Sequence, residues 1–212
     1  MPGDPVIGLV IATMLEAEPF IKGLALAESE TEPFPVYSKD RMYLIISGIG
    51  KANAAIACAY LIQRYHPVCI CNAGAAGAVS ASYHLGECRY ITKTIEPDRP
   101  DLTTGVFHTQ TPDVIDGFPT AVLATQDRPV RDPAERKRLA MDAQLVDMEG
   151  ASVVQACMRF RTKCYLFKFV SDTPDHDTSD DIVKNITLHR NAFFHFFHDT
   201  ALPRIIDISF RQ

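Results

Sequence analysis

Leu145-Val146-Asp147-Met148-Glu149 and, further along, Cys164-Tyr165-Leu166-Phe167-Lys168-Phe169-Val170-Ser171-Asp172 decide the reading of this chain. Each is an apolar run, rich in β-branched or aromatic residues, that ends in carboxylates. That is the pattern of a buried strand with acids at its C-terminal end. A third run, Val6-Ile7-Gly8-Leu9-Val10-Ile11-Ala12, is followed closely by Glu16. In open α/β sheets ligands bind beyond the carboxyl ends of the strands, so acids placed there point to a site rather than to solvated surface. Three strand-end carboxylates suggest sugar binding combined with acid/base chemistry.

Outward from these runs, strands and helices alternate. The first strand turns into a helix carrying Glu16 and Phe20, with Pro19 expected near its first turn, where a missing N–H costs little. An extended stretch over 36–46 ends in Ser47-Gly48-Ile49-Gly50, and the small and apolar residues from Lys51 to Tyr65 predict a packed helix. Val68 to Cys71 reads as a short buried strand running into Asn72-Ala73-Gly74-Ala75-Ala76-Gly77-Ala78. Glu96 to Asp101 and Thr109 to Pro119 read as loops and turns. Thr120 to Ala124 reads as a strand, and Asp132-Pro133-Ala134-Glu135 opens a helix by a cap-then-proline signal. Gly150 to Arg159 and Thr178 to His198 supply the remaining helices, the last capped by Ser179 or Asp180. With no internal repeat or linker, the pattern predicts one α/β domain over residues 1–212, its sheet covered on both faces.

Bulk properties narrow the function classes. A net charge of −5 gives no electrostatic case for nucleic acid or an anionic membrane. No apolar run reaches the length of a transmembrane helix, and Asp4 before the first apolar stretch argues against a signal peptide. The six cysteines, including Cys69 and Cys71 on one strand face, read as reduced core thiols of a cytoplasmic protein. No metal or cofactor is assigned. His195 and His198 fall in an aromatic helical stretch where packing is the expected role.

Taken together, Ile45 to Ala55, Asn72 to Gly77, Val146-Asp147-Met148-Glu149 and Val170-Ser171-Asp172 resemble the nucleoside phosphorylase/nucleosidase family. Within it the likeness is greatest to methylthioadenosine/S-adenosylhomocysteine nucleosidases and futalosine hydrolase-like members. The matched order runs from residue 6 to about 198, and four pieces in sequence are more specific than any one glycine-rich piece. The resemblance implies a three-layer α/β/α sandwich around a central mixed sheet, a small-molecule nucleoside as substrate, and assembly as a homodimer.

It also implies roles. Cleaving a purine N-glycosidic bond needs a proton donor at the base, a water on the opposite face and a clamp on the sugar hydroxyls. Asp172 would be the general acid, oriented by Ser171, although an Asp before Thr173-Pro174 is also a common turn opener. Glu149 would accept from the ribose hydroxyls with Met148 against the sugar, although an acid there also suits the start of a helix. Glu16 would polarise the water, on a gapless register that a two-residue slip would transfer to Glu18. Asp147 is expected to serve structure. Ala12, Ile49, Asn72, Gly74, Ala75 and Val130 are further expected substrate contacts, the last through its backbone. Gly48, Gly50, Gly74 and Gly77 either let backbone approach a ligand or simply make tight turns.

Several positions depart from the family pattern. Ala75 stands where nucleosidases often have serine, Lys168 near an expected arginine, Pro129 where an aromatic stacker is common, and Ile182 near a frequent phenylalanine. Phosphorylases of the family tend to carry an arginine where this chain has Asn72, and Gly8 to Phe20 contains no base at all. A phosphate dianion would be poorly held without a cation, so hydrolysis is favoured. Phosphorolysis, with a cation supplied by Arg41, Arg89 or Lys168, remains the alternative, and a non-catalytic nucleoside-binding protein the third.

Overall fold

Alternation along the strands sets the two faces of the sheet. In the computed structural model, which describes residues 5–175 and 178–210, the elements in chain order are β1 (Ile7–Ile11), α1 (Met14–Gly23), β2 (Ala27–Glu30), β3 (Val36–Lys39), β4 (Met42–Ile46), α2 (Lys51–Tyr65), β5 (Cys69–Ala78), β6 (Cys88–Pro100), β7 (Phe107–Gln110), β8 (Thr120–Thr125), α3 (Pro133–Leu139), β9 (Leu145–Asp147), α4 (Gly150–Phe160), β10 (Lys163–Asp172), α5 (Ser179–Phe196) and, after a π-helical turn at Phe197–Ala201, α6 (Leu202–Phe210). Leu9 and Ile11 of β1, with Phe167 and Phe169 of β10, join an aromatic core with Phe20, Phe193 and Phe197. Val10, Leu166 and Val170 face the other way, onto Leu61 of α2 and Val153 and Val154 of α4. The result is the expected three-layer α/β/α arrangement around a mixed sheet.

β5 is the spine of that sheet. It runs parallel to β1 on one side and to β10 on the other, and its last residues, Gly77 and Ala78, turn to pair antiparallel with β9. β9, β8, β6 and β10 then close a ring of five strands with β5, while β4, β3 and β2 extend from β1. The strand ends carrying Glu16, Glu149 and Asp172 thereby meet around one strand. A third apolar cluster, with Val79, Ile95, Val130, Leu139 and Val146, seats α3 beside them.

Several expectations need correction. Pro19 is the sixth residue of α1, not part of its first turn. A proline there leaves the carbonyl four residues earlier without its helical donor, and Arg190 of α5 supplies one, Nη1 donating to Leu15 O at 2.7 Å. Glu96 to Pro100 belongs to β6 rather than to a loop. Beyond Ile95 the strand pairs only with β7, so Pro97 and Pro100 sit where an N–H is dispensable. The glycine-rich segment 72–78 is strand throughout. α5 is capped by Thr178, whose hydroxyl accepts from Asp181 N at 3.1 Å, and the helical stretch continues past His198 to Phe210. His195 and His198 are exposed on one side while their rings lie tilted against Phe194, at centroid distances of 5.4 and 5.5 Å, and Phe193, Phe194 and Phe197 are buried. The six cysteines are free, five of them buried. Among the described residues no helix is long and apolar enough to cross a membrane.

Candidate active site

Each carboxylate is held by backbone or side chain from a different element. Thr13 caps α1 and Glu16 is the third residue of that helix, the spacing of a capping box. The pair closes differently here: Thr13 Oγ1 donates to Glu16 Oε2 at 2.6 Å, while Glu16 Oε1 reaches across to accept from Ala75 N of β5 at 2.8 Å. Glu18, two residues on, points away and pairs with Lys22 and Arg190.

Glu149 occupies the cap position of α4, yet its side chain makes no hydrogen bond to that helix. Its Oε1 instead accepts from Gly50 N, at the start of α2, at 2.9 Å. The helix-opening task falls to Asp147, whose Oδ2 accepts from Gly150 N at 2.8 Å and whose Oδ1 accepts from Thr125 Oγ1 at 2.6 Å. Asp147 also forms a fully buried ion pair with Lys168 Nζ at 2.8 Å. Burial alone would push the Lys168 ammonium down, but the carboxylates of Asp147, Glu149 and Glu16 together raise it. Glu149 moves in the unfavourable direction for its charge: burial first, then the adjacent Asp147, push its carboxyl up to about 7 against the pull of Lys168 and the Gly50 N–H.

Asp172 ends β10. Its Oδ1 accepts from Ser171 Oγ at 2.8 Å, and Ser171 is in turn fixed by Asn185 of α5, whose Nδ2 donates to Ser171 O at 3.0 Å. Its Oδ2 accepts from Arg136 Nη2 at 2.8 Å. A Cβ added at Gly77 would stand 2.5 Å from Asp172 Oδ2, and one at Gly74 would stand 2.8 Å from Glu16 Oε1. The two glycines therefore make room for the acids themselves rather than forming turns.

Glu16, Glu149 and Asp172 all line one cavity of about 220 Å³. Ala12, Thr13, Ile49, Ala75, Val130, Met148 and Ser171 also line it, with Ile182 and Ile186 as an apolar wall from α5. Two expected contacts stand elsewhere. Asn72 is buried behind the wall with Nδ2 donating to Val10 O at 3.0 Å, and Gly74 lies against Glu16 without lining the cavity. Among the described residues no three metal-ligating side chains are grouped.

Sequence reasoning missed Arg136. The signal was present: Arg136 and Leu139 are three apart on the buried face of the short helix that Asp132 caps, its Oδ1 accepting from Ala134 N at 3.0 Å. Two other arginines line the cavity but are committed to neighbours. Arg128 forms a two-pronged pair with Glu135 at 2.8 and 2.6 Å, and Arg131 Nη2 donates to Ser179 Oγ at 2.6 Å.

An α/β/α sandwich whose strand-end acids converge on one cavity defines the class, and comparison with known proteins gives the family. The chain belongs to the phosphorylase superfamily, whose sequence model matches residues 6–121 and 117–206. It is 28% identical to the 5'-methylthioadenosine/S-adenosylhomocysteine nucleosidase of Buchnera aphidicola subsp. Schizaphis graminum (strain Sg) over 177 residues, covering 72% of this chain and 75% of that one. The fold matches that of the Arabidopsis thaliana 5'-methylthioadenosine nucleosidase with a TM-score of 0.84 at 21% identity, over 96% of this chain and 97% of the other. It also matches a futalosine hydrolase mutant of Helicobacter pylori strain 26695 with a TM-score of 0.81 at 16% identity, over 94% and 99%.

Proposed function

We propose that this protein is a purine nucleosidase that hydrolyses the N-glycosidic bond of a 5'-substituted nucleoside, of the methylthioadenosine, S-adenosylhomocysteine or futalosine type. The observation that carries this reading is the convergence of Glu16, Glu149 and Asp172 on a single cavity. Glu149 clamps the ribose hydroxyls with Met148 against the sugar. Glu16, its carboxylate fixed by Thr13 and Ala75, draws a proton from the attacking water on one face. Asp172, steadied by Ser171, serves the leaving base on the other. Arg136 Nη2 holds Asp172 Oδ2 at 2.8 Å and so fixes the carboxyl group that meets the ring nitrogen of the leaving base. The cavity is smaller than the usual 300 Å³ or more of a site enclosing a whole ligand, so the 5' substituent projects toward the mouth beside Ile49. Ile49 and Ile56 are more than half exposed there and on the outer face of α2, which suits the expected homodimer. The reduced thiols and the family likeness fit a cytoplasmic setting.

Water rather than phosphate is the acceptor because no uncommitted cation stands near Glu16 among the described residues. Arg41 lines a separate cavity, Arg89 pairs with Glu87, and Lys168 is held by Asp147. Base release from 5'-methylthioadenosine and 5'-methylthioinosine is expected to proceed at the same rate with and without inorganic phosphate, giving the free sugar. Phosphate-dependent release with a ribose 1-phosphate product would make the protein a phosphorylase, and tight binding without release a nucleoside-binding protein.

Gly77→Ala tests the geometry of the acid. The added methyl has no room beside Asp172 Oδ2, and displacement of a reacting group by about 1 Å costs on the order of 10²-fold. Turnover is expected to fall by that order while far-UV circular dichroism stays native; unchanged turnover would remove Asp172 from contact with the substrate.

A further inference from the structure

The Arg136 guanidinium is buried at the end of the cavity that holds Asp172, and its bonds there determine what a base would meet. Nε donates to Val130 O at 3.0 Å, Nη1 to Ala78 O at 2.7 Å and Nη2 to Asp172 Oδ2 at 2.8 Å. The neighbouring acceptors are committed as well. Asp172 Oδ1 holds the Ser171 hydroxyl, Ser171 O holds Asn185, and Glu135 holds Arg128 and Gln126. A guanidinium has five N–H donors and no acceptor, so two remain after these three bonds, one on each terminal nitrogen. This end of the cavity is rich in donors, and both oxygens of its one carboxylate, Asp172, already accept a bond from the protein.

We propose that Arg136 is a specificity-determining residue that selects a 6-oxopurine over a 6-aminopurine, an assignment that rests on the nucleosidase reading above. A ring carbonyl at C6 is an acceptor and takes a remaining guanidinium N–H as a charge-assisted bond. An exocyclic amine brings two more donors to a donor-rich surface, where it faces the Arg136 N–H groups and must share the Asp172 carboxylate with Arg136 and Ser171. Sites built to hydrogen-bond one functional group discriminate strongly against an analogue with the opposite polarity.

Two matched pairs test this. 5'-Methylthioinosine and 5'-methylthioadenosine differ only at the base edge, and kcat/KM is expected to favour the inosine by about tenfold or more. The free bases hypoxanthine and adenine, measured by calorimetry, are expected to bind in the same order whether or not turnover occurs. In Arg136→Met, which keeps the stem and removes the donors, both ratios are expected to fall to about one, chiefly through loss on the 6-oxo side. A merely structural role would lower both members of each pair equally and leave the ratios unchanged, which overturns the proposal. Equal or tighter binding of adenine by the unmodified protein overturns it too, even if Arg136→Met does not fold. A hypoxanthine preference without hydrolysis of either nucleoside would instead reject the reaction and retain the role of Arg136.

Discussion

Asp172→Asn is expected to lower kcat by about 10³-fold, the upper part of the range contributed by a positioned general acid, while leaving KM little changed. The amide fits the same place. Its oxygen can accept from Arg136 Nη2, and its NH₂ can donate to Ser171 Oγ once that hydroxyl turns to act as acceptor. What is lost is the ability to carry a proton to the leaving base. Single-turnover base release with the binding of a nucleoside measured in parallel separates the outcomes. Retained turnover removes Asp172 from acid catalysis, and loss of binding alone assigns it to recognition.

Glu149→Gln is expected to change activity and stability in opposite directions. Hydrogen bonds to a charged acceptor are worth about 1.5–3 kcal/mol each, so losing the charge at a two-hydroxyl clamp costs about 10²- to 10³-fold in kcat/KM. The same substitution stabilises the fold. With the Glu149 carboxyl raised to about 7, the native state binds this proton more tightly than the unfolded chain does, so its share of stability is present at low pH and is lost as pH rises through 7. Ionising it costs about 3 kcal/mol relative to an unperturbed carboxyl. Gln keeps the oxygen that accepts from Gly50 N, and is expected to be more stable by about 2 kcal/mol at pH 8, raising Tm by about 4–8 °C. That advantage disappears near pH 5. In the unsubstituted protein kcat/KM should fall about tenfold per pH unit below 7, as the clamp is neutralised; the variant should lack that limb. An equal Tm at pH 8 would show that Glu149 is not desolvated in solution.

How much of this the sequence carries depends on the range of the interaction concerned. Lys51 to Tyr65 is a helix with those bounds because its small and apolar residues are a local signal, and Asp132 caps α3 because cap-then-proline is also local. Strand-end acids were legible for the same reason, since an apolar run ending in a carboxylate is contiguous. What escaped involves distant partners. Glu96 to Pro100 looks like a turn from its prolines and becomes strand only because β7 lies alongside. Gly74 and Gly77 look like turn glycines, and their purpose appears only once Glu16 and Asp172 arrive from other elements. Arg136 lies 36 residues from Asp172, and no local pattern couples them. Asn72 reads as the start of a ligand-facing loop but turns away from the cavity, because the strand continues through it to Ala78.

The bond from Arg190 to the carbonyl that Pro19 strands has a mechanical consequence. It rivets α1 to α5, and the pair between Arg190 and Glu18 adds a second fastening. The helix carrying Glu16 and the helix whose isoleucines wall the cavity thus form one plank. Parting the two helices would drag Glu16 out of line with the cavity. Residues 128–131, which also line the cavity, are tied to the same plank by the exposed bond between Arg131 and Ser179.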